Sequence, residues 1–448
     1  MKTDKYRRLL SCCPSLLDAA DKTANDKNGA LQNNIPAHVT AYVTAPVLFC
    51  YVCYILDSVK KNNINRIFFL SRDGYILKQI ADIIIERKKL KIQTSYLYVS
   101  RYSLRNALYY KCETAEDFEN AGLFTGYTLK SAKNFLKRAG LNDCQRVEVY
   151  KEIGFSDDEN KDLGDSEYSA FCEKIKNDPA LLCKIKNNSE NNYHNIMKYF
   201  EQSGLFEKGK IAVVDSGWMG TVQKTLTALV NGRTDENIIG YYFGLYRRED
   251  DNYKAFLFDV TDAYKYVPTF CNNLFECFCS APHGMTTGYR ECNGKIIPVL
   301  SDANAEMVKM AEIQTKTAVR FTEYACKNEN YIPICKMRDI SAGLLKALMY
   351  KPDKQEAEIL GAFPFSDDVT EAKIQRLAGN CKGSISNILL PVRIIRKKKG
   401  KSIYPDKYIY WLYGSIVLTG CKPAWVYRLS VREWERLRLL RERRKLCR

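Results

Sequence analysis

Short, wholly apolar runs recur along this chain, each followed by a small polar turn and then by apolar positions at helical spacing. Arg66-Ile67-Phe68-Phe69-Leu70 leads into Ser71-Arg72-Asp73-Gly74, after which Ile76, Ile80, Ile83 and Ile84 repeat with helical period. This pattern predicts a strand over 66–70, a helix over 75–89 and, from SYLYVSR, a strand over 95–99 that ends in Ser100-Arg101. The layout returns further on, with a strand over 210–215, the turn Asp215-Ser216-Gly217-Trp218-Met219-Gly220-Thr221, a helix over 219–230 and a strand over 237–246. FLFD, near 256–259, adds another strand. Strands that are apolar throughout and separated by helices mark a parallel sheet covered on both faces. The expected fold class is therefore α/β, a Rossmann-like, mostly parallel sheet built from two βαβ halves, with a helical insertion and a helical C-terminal region.

The remaining pattern divides the chain. Residues 1–36 read as a polar N-terminal segment, with NDKNGALQNN as a loop. A first α/β half covers 37–110, a helical insertion 111–205, a second α/β half 206–300, a helical region 301–392 and a basic aromatic tail 393–448. VTAYVTAPVLFCYVCYIL, from Val39 to Leu56, approaches the ~20 apolar residues that span a bilayer. Pro46, Thr40 and Thr44 interrupt it, and it leads into the first strand, so a buried packing helix over 37–60 is expected. Gly140 and Gly204 stand where helix C-caps end helices of the insertion. GYRECNGKIIPV reads as a hairpin edge. In the tail, Ser430 and Glu433 make a capping-box pattern for a helix through RLRLLRERRKL.

With 46% apolar residues and no long low-complexity tract, the composition is that of a folded globular chain. Its 17 cysteines lie in apolar segments, where a free thiol behaves as a small hydrophobe. MKTDKYRRLLSCC lacks the apolar core of a secretory signal, so a reducing, cytoplasmic setting is expected. Cys50 and Cys53 have C-x-x-C spacing without a second pair, and Cys277, Cys279 and His283 are a looser cluster. Core packing is expected of both, with no metal, and any cofactor is left open. The net charge of +17 is uneven: between Arg393 and Arg448, 17 Lys and Arg face 4 Asp and Glu, so the tail holds +13 of it. Tyr408, Tyr410, Trp411, Trp425 and Trp434 interleave with those cations. This combination fits an anionic membrane surface, preferred here over nucleic acid, and peripheral attachment at the inner membrane face is expected.

In open α/β sheets ligands sit beyond the carboxyl ends of the strands, where helix N-termini favour anions. Both polar turns fall there. Arg72 and Arg101 supply guanidinium forks for phosphate or carboxylate. Asp215 follows the second strand, Gly217 and Gly220 allow close backbone approach, and Thr221 can donate to an anion. Asp73, Glu276 and His283 are the candidates for moving protons. The plainer alternatives are that the arginines pair with Asp73 or Asp215, and that the glycines serve only the strand–turn–helix joint.

The Asp73-Gly74 turn resembles the first motif of haloacid-dehalogenase-like phosphatases, a strand followed by Asp-x-Asp-Gly. Aligned on Asp-Gly, the nucleophile falls on Ser71 and the acid/base on Asp73, so such a hydrolase would lack its usual aspartate nucleophile. The Asp215–Thr221 turn resembles the ribose-phosphate loop of phosphoribosyltransferases, with one acid in place of two and a shorter turn holding Trp218 and Met219. Arg72-Asp73-Gly74, Ser100-Arg101, Asp215 through Gln223, and Glu276 with Pro282-His283 are, in that order, similar to the C-terminal region of haloacid-dehalogenase-like proteins of bacterial surface-polysaccharide and glycosyltransferase loci. The likeness covers about residues 37–295, without the N-terminal phosphatase domain. It implies a place in surface-polysaccharide biosynthesis, a context more than a reaction. Together with the anion site, that context makes a phosphorylated or nucleotide-activated sugar the expected partner, with a transferase slightly favoured over a hydrolase. The likeness also adds Gly74, Ser100 and Gln223 to the phosphate-binding set. Two alternatives stay open: a phosphoribosyltransferase-like enzyme, and a non-catalytic scaffold docking glycosyltransferases at the membrane.

Overall fold

The apolar runs become one all-parallel sheet. In the computed structural model, which describes residues 3–26, 34–125, 130–153, 159–234, 237–327, 332–366, 374–405 and 409–446, its strands are β1 (Arg66–Leu70), β2 (Gln93–Leu97), β3 (Ile211–Trp218), β4 (Ile239–Leu245) and β5 (Tyr253–Phe258). They lie in the order β2-β1-β3-β4-β5. Most of the expected loop NDKNGALQNN lies outside the described residues. β1 is buried at every position and β4 at nearly every one, as central strands of a doubly covered sheet must be, whereas the edge strand β2 is buried only at Leu97.

Alternate side chains build two cores. Ile67, Phe69, Ala212, Val214, Tyr241 and Phe243 face the larger one, shared with helices Ala45–Lys61, Gly74–Lys88, Asn272–Cys279 and Ile334–Met349. Phe68, Leu70, Ile211 and Val213 face the other, covered by helices Arg101–Leu108, Pro179–Gln202 and Thr221–Val230. The apolar N-terminal segment is a continuous helix, Ile35–Lys61. It is long and apolar enough to cross a membrane, but 89% of its most apolar window is buried inside the protein. A π-turn, Thr40–Thr44, precedes Pro46, where the ring removes a helical donor.

The 111–205 segment is helical and closes its own small core around Phe118, Phe135, Phe171 and Ile185. Gly140 and Gly204 follow its helix ends at φ +82° and +78°. GYRECNGKIIPV forms a separate two-stranded sheet, β6 (Thr286–Cys292) with β7 (Lys295–Leu300), tied to helix Pro179–Gln202 by Asn195 and Gln202 rather than lying at the main sheet's edge.

Several sequence boundaries move: β2, expected over 95–99, spans Gln93–Leu97, and β4, expected over 237–246, spans Ile239–Leu245. β3 continues to Trp218, pairing with β4 as far as Leu245. The next helix starts only at Thr221, because Gly217, Trp218 and Gly220 all have positive φ. Ser430 does not cap a helix: it lies inside helix Ala424–Leu446, buried, so the Ser430/Glu433 pattern is an interior spacing.

Candidate active site at the β1–β3 switch point

β1 and β3 are parallel neighbours, with Phe69 opposite Val214, so the turn after β1 stands level with Asp215. The chain leaves β1 toward β2 on one side and returns as β3 on the other, which is the switch point where open α/β sheets hold ligands. Ser71 fixes the first turn. Its backbone N–H donates to Leu97 O (3.0 Å), while its hydroxyl donates to Val99 O (2.7 Å) and accepts from Val99 N (3.1 Å).

Asp73 stands at the N-cap of helix Gly74–Lys88, but its carboxylate does not cap that helix. It accepts a hydrogen bond from the Ser216 hydroxyl of β3. Asp215 Oδ1 accepts from Ser216 N (2.9 Å), and the buried Tyr51 hydroxyl donates to Asp215 O (2.9 Å). One serine therefore bridges two carboxyl groups. Burial raises the pKa of Asp73, against the Ser216 hydrogen bond and the charges of Arg72 and Arg101. Asp215 is held well above the usual carboxylate range, first by burial, then by the charge of Asp73. Glu276 pushes it the same way, while Ser216 N–H and Arg101 oppose. Such a pair holds a proton that separate carboxylates would release.

A pocket of about 310 Å³ opens beside Asp73, lined also by Arg72, Glu276, His283, Asp302 and Phe365. Asp215 is not among its lining residues. Glu276, on helix Asn272–Cys279, accepts from the Trp218 indole N–H at 2.5 Å. Trp218 stacks among Tyr246, Phe258, Phe270 and Phe275, so its positive φ (+100°) turns a large ring out of the loop and into the core. His283 Nδ1 lies 2.8 Å from Gly284 O and Nε2 lies 2.9 Å from the Tyr96 hydroxyl. Those partners assign the neutral tautomer, with Nδ1–H donating to the carbonyl and Nε2 accepting from the phenol. Burial holds its pKa below the ordinary value, with the Gly284 bond pulling the other way. The rings of Tyr75, Tyr96 and Tyr98 surround it.

The structure thus brings Arg72, Asp73, Glu276 and His283 around one pocket, with Asp215 behind Asp73. Arg101 begins helix Arg101–Leu108, exposed and without a hydrogen bond or ion pair among the described residues, yet its charge reaches both Asp73 and Asp215. Thr221 opens helix Thr221–Val230 beyond β3. Five expected ligand-binding positions are instead taken up by the fold. A Cβ at Gly74 would stand 2.7 Å from the Phe69 backbone, one at Gly217 would strike Gly244 O, and one at Gly220 would stand 2.5 Å from the Tyr253 ring. The Ser100 hydroxyl caps helix Arg101–Leu108 and donates to Thr286 O (2.6 Å). Gln223 is buried, donating to Ile238 O (2.8 Å) and accepting from the Tyr242 hydroxyl (2.6 Å). Sequence reasoning missed Ser216, Trp218 and Tyr96 as positioning groups. A tryptophan inside a glycine-rich turn was the one available signal.

Among the described residues no group of three or more His, Cys, Asp or Glu is arranged to hold a metal ion. Comparison of the chain with family models and with curated proteins found no match, so its chemistry is read from these side chains.

Proposed function

We propose that this chain binds a phosphorylated or nucleotide-activated sugar at the carboxyl edge of β1 and β3, and that Asp73 moves a proton there during group transfer. The carrying observation is the bridged Asp73–Asp215 pair, with a raised pKa, beside a pocket and within reach of two arginine charges. A carboxyl group whose pKa is raised by burial gives up its proton less readily than an ordinary carboxylic acid, as acid and base roles in turn require. Asp73, Glu276 and Asp302 offer acceptors to sugar hydroxyls, while Arg72 and Arg101 suit the anionic end. The pocket volume is at the small end of the ~300–1,000 Å³ typical of ligand sites. Transfer is preferred to phosphomonoester hydrolysis through Ser71, whose hydroxyl is engaged twice by Val99. The order of the four motifs supports a place in bacterial surface-polysaccharide biosynthesis, and the basic C-terminal segment supports work at the inner membrane face.

A thermal-shift screen of sugar phosphates and nucleotide-sugars tests the reading. A true ligand at a hundred times its Kd stabilises by about 2.7 kcal/mol. Arg101→Ala is expected to weaken that ligand roughly ten- to hundredfold, the loss of a charge-assisted contact, while Lys130→Ala in the helical segment leaves it unchanged. Equal binding by both variants, or no shift with any sugar phosphate, overturns the proposal.

A further inference from the structure

A second pocket, of about 460 Å³, opens beside the edge strand β5 and shares no lining residue with the first. Its walls are the segment Tyr264–Phe270, helix Ile334–Met349 and helix Ala424–Leu446. Lys265, Lys346, Arg432 and Arg436 line it, and among the described residues no acidic one does. Glu433 holds Arg432 at 2.7 Å and Arg436 at 3.7 Å. Lys265 and Lys346 are exposed and make no ion pair among the described residues. Lys265 Nζ lies over the Tyr264 ring at 5.7 Å. Two fixed guanidinium groups and two ammonium groups outside any ion pair among the described residues suit an anion with several acceptor oxygens, as phosphate has.

The helix that supplies the arginines also says where the anion comes from. Positions 425, 429, 432 and 436 recur at i, i+4, i+7 and i+11, so Trp425, Leu429, Arg432 and Arg436 share one stripe. Trp425 is 62% exposed and Leu429 37%. A soluble phosphate has no use for an exposed tryptophan and leucine beside its pocket. A membrane interface has, because indole rings settle at headgroup depth next to basic residues.

We propose that this pocket takes the phosphate of an anionic lipid headgroup while Trp425 and Leu429 enter the headgroup layer. The inference rests on the membrane part of the proposed function and assigns that attachment to a built site rather than to diffuse charge. Cosedimentation with phosphatidylglycerol and with phosphatidylcholine vesicles at low salt decides it. The full chain is expected to bind only the anionic vesicles. Lys346→Glu with Arg436→Glu, both at exposed positions, is expected to lose at least about tenfold in affinity. Trp425→Ala is expected to weaken binding, and Lys398→Glu with Lys399→Glu to change it less than about twofold. Should the pocket double variant fail to fold, Lys346→Gln, expected to lose about threefold, takes its place. Undiminished binding by the pocket variants with loss in the Lys398/Lys399 variant overturns the pocket and leaves the membrane reading standing. Absence of binding by the full chain to either vesicle overturns both. Binding of inorganic pyrophosphate that depends on Lys346 and Arg436, without vesicle binding, overturns the lipid source.

Discussion

A carboxyl group held away from water weakens a fold whenever it must carry charge. Asp215 is such a group, its pKa raised by burial and by Asp73. A raised folded-state pKa means that the native chain binds more protons than the unfolded one between the unfolded value, near 4, and the folded value, so stability falls as pH rises through that window. Asp215→Asn keeps an acceptor for Ser216 N–H and removes the charge. It is expected to raise Tm at pH 7, with the gain shrinking toward zero as pH falls below about 4, where the carboxyl group is neutral in the folded and unfolded chain alike. A Tm difference independent of pH would assign the effect to packing. Arg393 poses the mirror case. Its guanidinium is fully buried, finds no hydrogen-bond partner among the described residues and lies between the rings of Tyr404 (5.3 Å) and Trp434 (5.4 Å). Burial holds its pKa below the ordinary value. Arg393→Met is expected to leave thermal stability equal or higher, since an apolar chain of similar length removes the desolvation cost. A loss of more than about 2 kcal/mol would show that the ring contacts outweigh it.

At the scale of elements, the N-terminal helix Asp4–Leu10 is fastened to a distant part of the chain through one acid. Glu356 is fully buried, its Oε2 accepting from Lys5 Nζ (2.6 Å) and from Asp353 N–H (2.8 Å) and its Oε1 from the Tyr6 hydroxyl (2.6 Å). Glu356→Ala is expected to destabilise by about 2–3 kcal/mol, measured by denaturant unfolding, with the N-terminal helix gaining protease sensitivity first. None of this was legible in the sequence, because nothing local pairs residues 5 and 356. The central strands were legible, since burial on both faces writes itself as an unbroken apolar run: β1 is found at its expected residues. β3 overran its expected end because Asp215-Ser216-Gly217 reads as a turn by composition, yet Gly217 at φ +118° still pairs with Gly244. The candidate site was legible as far as its charged residues went. Its glycines and Gln223 are packed against neighbouring strands, because the residue types that admit a phosphate also admit a strand.

For the whole molecule, the largest revision concerns residues 393–448. Charge and interleaved aromatic residues made them a tail, but Trp411, Ile416, Val431 and Leu439 are buried in the main core, Trp411 Nε1 donates to Met349 O (2.8 Å), and Trp425 is the exposed tryptophan of the segment. Tyr408 lies outside the described residues. Deleting 411–448 is therefore expected to abolish cooperative thermal unfolding rather than to yield a well-folded protein with less charge. A truncated chain that keeps a sharp transition within a few degrees of the full chain would restore the tail reading.

The buried helix Ala45–Lys61 also sets a timetable. Its covering partners include Phe256, Phe275, Leu344 and Leu348, all encoded far downstream. At a synthesis rate of about 5–20 residues per second, the helix leaves the ribosome roughly 15–60 s before the residues near 349 exist. During that interval a surface meant for the interior faces the cell unprotected. Production of this protein is accordingly expected to depend on chaperones that hold nascent chains, and ribosome-stalled chains ending near residue 250 to aggregate once released where full-length chains do not.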